Sequence, residues 1–442
     1  MEPALLIIVL GVNMTLWTLI GGLRLGTEKL GNGSNSRRAG PYCPATVNAQ
    51  TLSPDDVAVL IPAHNEEPVI AATIESVLRL VPAAQIHVIA DGCADGTADI
   101  ARAIGVNVLE LIPGRGKAGG IEAAVQHFDL PARFAAVLIL DADTTIDAHY
   151  LERGLPLLGT AGVVALAGYA KAGWRPRELS PPGRFLISYR TRLYAVMQWL
   201  KYGQTWRWTN VTAIVPGFAS MYRTSVLGAM ELNPPGLIIE DFNMTFEIHH
   251  KRLGKIAFRP GVFATTQDPD NFRDYYRQVF RWQLGFWQTV RRHGFWASGF
   301  SLALALFLAE VLIASLGIVL LVAALASLTP FVLAGFALAA MGTADAPHGL
   351  AQIHVSLLIV LLAVAALDYV VTCLTAFALR RPSMLLYGAG FLALRFADAT
   401  AALWALPHAW LVHSDGQWTS PVRRPVAAPP KVPDSSRDGG RR

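Results

Sequence analysis

The sequence predicts an α/β domain with a mostly parallel sheet, followed by an α-helical transmembrane domain. From residue 56, short apolar runs alternate with amphipathic segments, a pattern typical of strands joined by right-handed helical crossovers. The run Val137–Leu140 has no polar alternation, which indicates a strand buried on both faces. Hydrophobic residues form 53% of the 442-residue chain and concentrate at 4–23 and 299–412, so we expect these stretches in lipid.

Shifts in composition divide the chain into six parts. They are an N-terminal transmembrane helix, a linker, the α/β domain, an amphipathic interface helix, three or four C-terminal transmembrane helices, and a basic disordered tail. Their predicted limits are residues 1–25, 26–54, 55–275, 276–298, 299–412 and 413–442. The net charge of +5 is modest and comes largely from the tail, so no nucleic-acid partner is expected.

The first apolar stretch is twenty residues long and carries no charge. As a helix it would span about 30 Å, one hydrocarbon core. We favour an uncleaved anchor over a secretory signal peptide, because the chain begins Met1-Glu2-Pro3 without a basic segment. Basic residues follow the stretch and place the α/β domain in the cytosol by the positive-inside rule; they are Arg24, Lys29, Arg37 and Arg38.

Four strands and three helices are predicted in the first part of the α/β domain. The strands are Val57–Ile61, Ile86–Ala90, Val106–Leu111 and Ala136–Leu140, and the helices are Glu67–Leu80, Ala94–Ile104 and Lys117–Phe128. In open α/β sheets, ligands bind at the carboxyl edge of the strands. Polar loops follow the strands at 62–67, 91–97 and 114–120. Each loop alone is consistent with an ordinary turn, but the three together predict a ligand-binding site at this edge of the sheet.

Two carboxylates, Asp141 and Asp143, follow the fourth strand directly. They repel each other unless a cation lies between them, and a hard divalent ion completed by phosphate oxygens meets that need. Asp91 can accept a hydrogen bond from a base or ribose, and Lys117 in its glycine-rich loop can contact phosphate. The alternative for Asp141 and Asp143 is a polar turn. We therefore expect a metal-assisted site for a nucleotide diphosphate.

A second apolar run, Leu237–Ile239, ends in Glu240-Asp241. Asp241 is a candidate general base, and it is also a suitable start for a helix over 242–250. Further along, a predicted helix presents Gln278, Arg281 and Trp282 on one face. Arginine suits pyrophosphate and tryptophan suits a sugar ring, although an interfacial amphipathic helix has the same pattern.

Taken together, these motifs resemble membrane-embedded, processive family 2 glycosyltransferases, such as the cellulose, chitin and hyaluronan synthases. The layout is most similar to the poly-N-acetylglucosamine synthases. The resemblance rests on several motifs in order, namely Pro62-Ala63-His64-Asn65-Glu66, Asp91, Gly116-Lys117, Asp141-Ala142-Asp143, the loop from Gly217 to Arg223, Glu240-Asp241, Gln278-Val279-Phe280-Arg281-Trp282 and Trp418 to Arg423. Ile239 departs from the threonine that is frequent before Glu-Asp, and one N-terminal span stands where several relatives have two.

The resemblance implies a GT-A fold and an inverting transfer from a nucleotide sugar, UDP-N-acetylglucosamine by similarity. Asp241 would act as base, with Glu240 beside it. Mg²⁺ or Mn²⁺ would bind at Asp143 with Asp141 nearby, and the remaining motif residues would bind the donor: Pro62, Asn65, Glu66, Asp91, Lys117, Gly217, Gln278, Arg281 and Trp282. The product would be a β-linked polysaccharide made at the plasma (inner) membrane by a multi-pass enzyme, with an accessory membrane or export subunit as a further partner.

Two other functions stay open at the level of the sequence. One is transfer of a single sugar to a polyprenyl or other lipid acceptor, and the other is a membrane scaffold with an inactive transferase domain. The predicted C-terminal spans are Phe300–Leu328, Leu350–Leu379 and Met384–Leu411, with Pro330–Met341 as a short span or re-entrant segment. Charges inside these stretches predict either a polar path or a structural Arg395–Asp398 ion pair; they are Glu310, Asp368, Arg395 and Asp398.

Overall fold

The computed structural model describes residues 47–412, apart from 203–205, 208 and 344, together with Leu19, Leu23, Arg423 and Arg424. The predicted N-terminal anchor, and nearly all of the linker and the tail, lie outside the described residues. The strands are β1 (Val57–Ala63), β2 (Ile86–Asp91), β3 (Asn107–Leu111), β4 (Ala136–Leu140), β5 (Thr145–Ile146), β6 (Val163–Ala172), β7 (Ala219–Arg223) and β8 (Lys255–Thr266).

The helices of the α/β domain are α1 (Ile70–Leu78), α2 (Thr97–Ile104), α3 (Gly116–His127), α4 (Leu130–Arg133), α5 (Tyr150–Leu158), α6 (Pro181–Val196), α7 (Thr224–Leu227) and α8 (Glu240–His250). They are followed by α9 (Phe272–His293), α10 (Gly299–Ala340), α11 (His348–Ala378), α12 (Ser383–Gly388) and α13 (Phe391–Leu411). The predicted strands and crossover helices are all present, with ends shifted by a few residues.

The strands form one sheet in the order β3-β2-β1-β4-β7-β6-β8-β5. Strands β3, β2, β1 and β4 are mutually parallel, whereas β7 and β5 are antiparallel to their neighbours. Every residue of β1 and β4 is buried, because helices cover both faces of the sheet. The α/β fold class with a mostly parallel sheet is therefore confirmed. The carboxyl ends of β1, β2 and β4 meet at one edge.

By length and composition, two helices of the described part of the chain could cross a membrane, α10 and α11. Helix α10 contains 42 residues and runs without a break through Pro330. The predicted separate segment Pro330–Met341 is therefore wrong. Proline is tolerated inside apolar helices, where neighbouring groups and local adjustments can satisfy the freed carbonyl.

The predicted segment Met384–Leu411 is split into α12 and α13. Helix α13 packs along α9, where the Trp287 indole nitrogen donates to the Ala402 carbonyl. The Arg395–Asp398 ion pair does not form. Arg395 instead pairs with Asp368 of α11 at 2.9 Å, and Asp368 also pairs with Arg192 of α6 at 2.7 Å. These contacts join the apolar helices to the α/β domain.

Candidate active site

The loops after β1, β2 and β3 are tied together at the sheet edge. Asp91 ends β2, and its carboxylate accepts a hydrogen bond from the backbone nitrogen of Arg115 at 2.6 Å. Asn65, in the loop after β1, accepts from the backbone of Ala94 at 2.8 Å. Gly92 has φ +62°, and a Cβ there would lie 3.2 Å from the backbone of Gly114. Close packing of two loops therefore requires glycine at this position.

Lys117, at the start of α3, joins the two acidic motifs. Its ammonium lies 2.7 Å from Asp141 and 2.8 Å from Glu240. Burial would lower the pKa of Lys117, but the two carboxylates outweigh burial and hold that pKa above its ordinary value. A Cβ on Gly217 would lie 2.9 Å from Glu240 and 3.0 Å from the ammonium of Lys117. The site therefore admits only glycine beside this ion pair.

Asp241 stands in the first turn of α8, as the helix-start interpretation predicts. Its carboxylate accepts hydrogen bonds from the backbone nitrogens of Gly217 at 3.1 Å and Phe242 at 2.7 Å. Burial, with the neighbouring charge of Glu240, raises the pKa of Asp241 to about 7, although Lys117 opposes the shift. A carboxylate with this pKa is suited to take up a proton near neutral pH.

Asp143 and Glu66 share one cation, Arg423. Its guanidinium donates to Glu66 through Nε at 2.8 Å and through Nη2 at 2.9 Å, and its Nη1 lies 2.6 Å from Asp143. Burial raises the pKa of Asp143 to about 6; the charge of Arg423 opposes this shift, and the charges of Asp141 and Glu66 add to it. The acid pair of the fourth strand is thus neutralised by two separate basic side chains, Lys117 and Arg423.

Arg424 fixes the position of Arg423. Its backbone nitrogen donates to the Gln267 side chain at 2.8 Å, and the Gln267 amide donates back to the Arg424 carbonyl at 2.9 Å. The Arg424 guanidinium donates to Asp270 at 2.8 Å. These contacts hold residues 423 and 424 against the segment that follows β8.

Helix α9 brings Gln278, Arg281 and Trp282 to the same cavity as Asp141 and Asp241. The cavity has a volume of about 1020 Å³ and continues from the sheet edge to aliphatic side chains of α10 and α11. Burial lowers the pKa of Arg281, while the charges of Asp141, Glu240 and Asp241 favour its protonated form. One chamber therefore joins the acidic edge of the sheet to the apolar helices.

A family profile described as "Glycosyltransferase like family 2" matches residues 54–285, more than half of the chain. The chain is a family 2 glycosyltransferase. Membership of this family makes it an enzyme of the glycosyltransferase class. The matched region begins just before β1 and ends within α9. It includes all the residues described at the acidic edge except Arg423.

Several characterised or named relatives are similar to this transferase. A probable glycosyltransferase of Bacillus subtilis (strain 168), YdaM, is 27% identical over 242 residues, covering 52% of this chain and 54% of the relative. The poly-beta-1,6-N-acetyl-D-glucosamine synthase of Staphylococcus epidermidis is 22% identical over 265 residues, covering 55% of this chain and 60% of the relative. The match thus spans little more than half the length of each relative.

A third relative is the dolichyl-phosphate hexose transferase of Haloferax volcanii (strain ATCC 29605). It is 35% identical over 104 residues, which cover 24% of this chain and 43% of that relative. Among solved structures, the mannosyltransferase PcManGT from Pyrobaculum calidifontis, in complex with GDP-Man and Mn²⁺, superposes with a TM-score of 0.52. It is 18% identical, with 91% of this chain and 97% of that chain covered. This likeness supports the GT-A fold of the transferase.

The structure brings most of the sequence-predicted site residues to one cavity. Its lining includes Pro62, Glu66, Lys117, Asp141, Asp143, Gly217, Glu240, Asp241, Gln278, Arg281 and Trp282. Asn65 and Asp91 are not part of the lining and instead hold the surrounding loops. Three charged residues of the lining, Arg190, Asp268 and Arg423, had no predicted role. Their local sequences carry no signal of a site, apart from the tail motif that ends at Arg423.

The carboxylates fit a divalent ion that is completed by phosphate. Among the described residues, no cluster of three or more histidine, cysteine, aspartate and glutamate side chains could hold a metal ion. Mg²⁺ and ions like it commonly bind through one or two carboxylates plus substrate phosphates, and Asp141 and Asp143 supply that pair. The guanidinium of Arg423 lies 2.6 Å from one carboxylate oxygen of Asp143 and would compete with such an ion for that oxygen.

Proposed function

We propose that this transferase is a membrane-bound, inverting enzyme that transfers N-acetylglucosamine from UDP-N-acetylglucosamine to a growing β-linked polysaccharide. The observation that carries the proposal is the single cavity joining Asp141, Asp241 and Trp282 to α10 and α11. A donor held at the sheet edge and an acceptor arriving from the apolar helices would meet beside Asp241. Similarity to a poly-beta-1,6-N-acetyl-D-glucosamine synthase supports this choice of sugar.

In the proposed reaction, the Asp241 carboxylate accepts the proton of an acceptor hydroxyl. The hydroxyl oxygen attacks the anomeric carbon, and the bond from that carbon to the diphosphate oxygen breaks with inversion. Lys117 and Arg281 stabilise the negative charge that develops on the leaving diphosphate. A Mg²⁺ or Mn²⁺ held by Asp143 and Asp141 would add further positive charge there when bound. Asp91 would help to bind the nucleoside by holding the loop at Arg115 beside it.

The proposed placement in the membrane follows the helices. Helices α10 and α11 would cross the bilayer with the N-terminal stretch 4–23, and α9 would lie at the interface. The α/β domain would face the cytosol at the plasma membrane. The limits proposed for these parts are those predicted from the sequence, with α10 as one continuous helix. The number of spans and any accessory export subunit stay predictions.

A second candidate function is transfer of one sugar to a lipid acceptor. The far end of the cavity is lined by aliphatic side chains that suit a prenyl or acyl chain better than a sugar chain; they include Ile318, Leu321, Leu357, Val360 and Val364. Partial similarity to a dolichyl-phosphate hexose transferase agrees with this alternative. The size of the product separates the two functions, because only polymerisation yields a ladder of lengths.

The test uses the full chain in lipid nanodiscs with Mg²⁺ or Mn²⁺ and a panel of nucleotide sugars. We expect UDP release from UDP-N-acetylglucosamine with a long product. Asp241→Asn should lower the rate on the order of 10²–10⁴-fold, the range for loss of a general base. Asp147→Asn is the matched control, because Asp147 lies outside the cavity lining and pairs with Arg153. A single lipid-linked sugar would favour the second candidate, and no turnover of any donor would contradict both.

A further inference from the structure

Arg190 is a fully buried cation in the wall of the cavity. It lies on α6, with its guanidinium carbon 4.4 Å from the ring centre of Trp282 and 4.6 Å from that of Tyr275. Its Nη2 donates to the Gln278 side chain at 2.6 Å. Its Nε and Nη1 donate no hydrogen bond to any described residue. A buried guanidinium with unused donors is costly unless a ligand completes it.

Asp268 stands beside Arg190 in the segment that follows β8. Its Oδ1 accepts from the Tyr194 hydroxyl at 2.6 Å and lies 3.8 Å from Arg190 Nε, too far for a hydrogen bond. Its Oδ2 accepts nothing from the described part of the chain. Asp268 is 3% exposed and lines the same cavity. A strong acceptor and strong donors thus face the cavity from adjacent positions.

The charges of this pair indicate what it can bind. Asp268 repels an anion and Arg190 repels a cation, so a neutral ligand is favoured. Hydroxyl groups can donate to a carboxylate and accept from a guanidinium at once. The partly exposed indole of Trp282 adds an apolar face next to these groups. Adjacent hydroxyls on one side and C–H groups on the other describe a pyranose ring.

Arg190 lies on α6, which packs near α9 and α13, and Asp268 lies beside it in the segment after β8. Tyr275, which stacks on Arg190, donates to Asp398 of α13 at 2.5 Å. The charges suited to a diphosphate lie elsewhere in the cavity, at Lys117 and Arg281. We infer that Arg190 and Asp268 form a subsite for one sugar unit of the acceptor glycan, binding two neighbouring hydroxyls. This inference rests on the proposed function, since it assumes that the acceptor is a glycan.

A purely positioning role for Arg190 is the alternative, because Arg190 also holds Gln278. In that case its loss would disturb donor binding through Gln278. Asp268→Asn separates the two roles, since it leaves the contact between Arg190 and Gln278 in place. Arg190→Lys keeps the positive charge but removes the whole guanidinium, including Nη2, which donates to Gln278. Arg192→Lys is the matched control, because Arg192 is a buried arginine of the same helix that pairs with Asp368 outside the cavity.

The experiment measures equilibrium binding of a β-1,6-linked trimer of N-acetylglucosamine to the full chain in nanodiscs, in the presence of UDP. We expect Arg190→Lys and Asp268→Asn to weaken trimer binding about 10- to 100-fold, as expected for a lost hydrogen bond to a charged group. UDP affinity of Asp268→Asn should stay near that of the wild type and of Arg192→Lys, because both variants keep the contact between Arg190 and Gln278.

Two results would overturn the subsite. One is absence of trimer binding by the wild type, and the other is a parallel fall of UDP affinity in Asp268→Asn. The failure of the proposed function is a different result. If the wild type binds the trimer, and the two variants lose that binding, while no nucleotide sugar is turned over, the subsite stands and the proposed transfer reaction does not.

Discussion

Two walls of the cavity differ in how completely their buried charged side chains are paired. On the wall formed by the sheet edge, which we call the donor wall, four acids have a close basic partner: Asp141 and Glu240 pair with Lys117, while Asp143 and Glu66 pair with Arg423. On a second wall, which we call the acceptor wall, Arg190 and Asp268 form a loose ion pair at 3.8 Å and keep unused hydrogen-bonding atoms. A charged ligand that binds the donor wall must compete with the existing ion pairs for Lys117 or for the carboxylates. A neutral ligand can bind the acceptor wall by forming hydrogen bonds to the unused atoms of Arg190 and Asp268.

The largest effect expected from this comparison follows from removing Lys117. Lys117→Met leaves Asp141 and Glu240 without their shared cation. Loss of one partner of a buried ion pair costs about 3–5 kcal/mol of folding free energy, and the two unpaired carboxylates would repel the diphosphate. We expect UDP affinity and turnover to fall by roughly 10²–10³-fold. Calorimetric titration with UDP and a UDP-release assay measure the two quantities.

The control for this variant is Lys171→Met. Lys171 lies on β6, with its ammonium over the ring of Phe263 and outside the cavity lining. Its loss should leave UDP affinity unchanged. Wild-type affinity in Lys117→Met would mean that the donor wall does not bind the nucleotide, and the contrast between the walls would then fail.

The donor wall is also the part of the site that sequence reasoning could predict. Asp91 ends β2, Lys117 follows β3 and Asp141 follows β4, and these three strands form one parallel run with β1 in the order β3-β2-β1-β4. The parallel topology alone therefore places these residues at one edge. Gly217 and Asp241 come from later elements, and the motif order indicated them only through resemblance to a known family.

The acceptor wall, and Arg423 of the donor wall, could not be predicted in this way. Arg190 meets Gln278 across 88 positions of sequence, and Arg423 meets Glu66 across 357. Neither contact leaves a local pattern, because each depends on how separate helices and the tail pack against the sheet. The continuity of α10 through Pro330 could not be predicted for a different reason. Proline ends most helices in water, but it is tolerated inside helices in apolar surroundings.

The pH dependence of transfer sharpens the comparison because only the donor wall holds the base. Asp241 must be deprotonated to accept the hydroxyl proton, and its pKa is raised to about 7. The rate should therefore rise with pH up to about 7 and level off above it, falling about tenfold per unit below that value. A profile of UDP release between pH 5 and 8.5 measures this.

Lys117 supplies an internal check on the assignment. Its positive charge lowers the pKa of Asp241, so Lys117→Met should move the rising limb of any residual activity to higher pH. Asp268→Asn on the acceptor wall should leave the limb in place. A profile that is flat from pH 5 to 8 in the wild type would exclude Asp241 as the titrating base.

The smallest expected effect concerns Arg423 and the divalent ion, which use the same carboxylate. Because Arg423 already pairs with one oxygen of Asp143, a divalent ion would have to compete with the guanidinium for this carboxylate. Arg423→Ala should therefore tighten Mn²⁺ binding in the absence of nucleotide by up to about tenfold, equivalent to ~1.4 kcal/mol. Paramagnetic resonance of free Mn²⁺ gives the affinity without any turnover.

The measurement belongs at pH 8 because Arg423 also lowers the pKa of Asp143. Without Arg423 that pKa rises further, and at acidic pH protonation of the carboxylate would hide the gain in Mn²⁺ affinity. Arg423→Lys keeps the positive charge and should stay closer to the wild type than Arg423→Ala. If Arg423→Ala binds Mn²⁺ more weakly than the wild type at pH 8, the arginine supports the ion rather than competing with it. The donor wall would then bind the ion and Arg423 together.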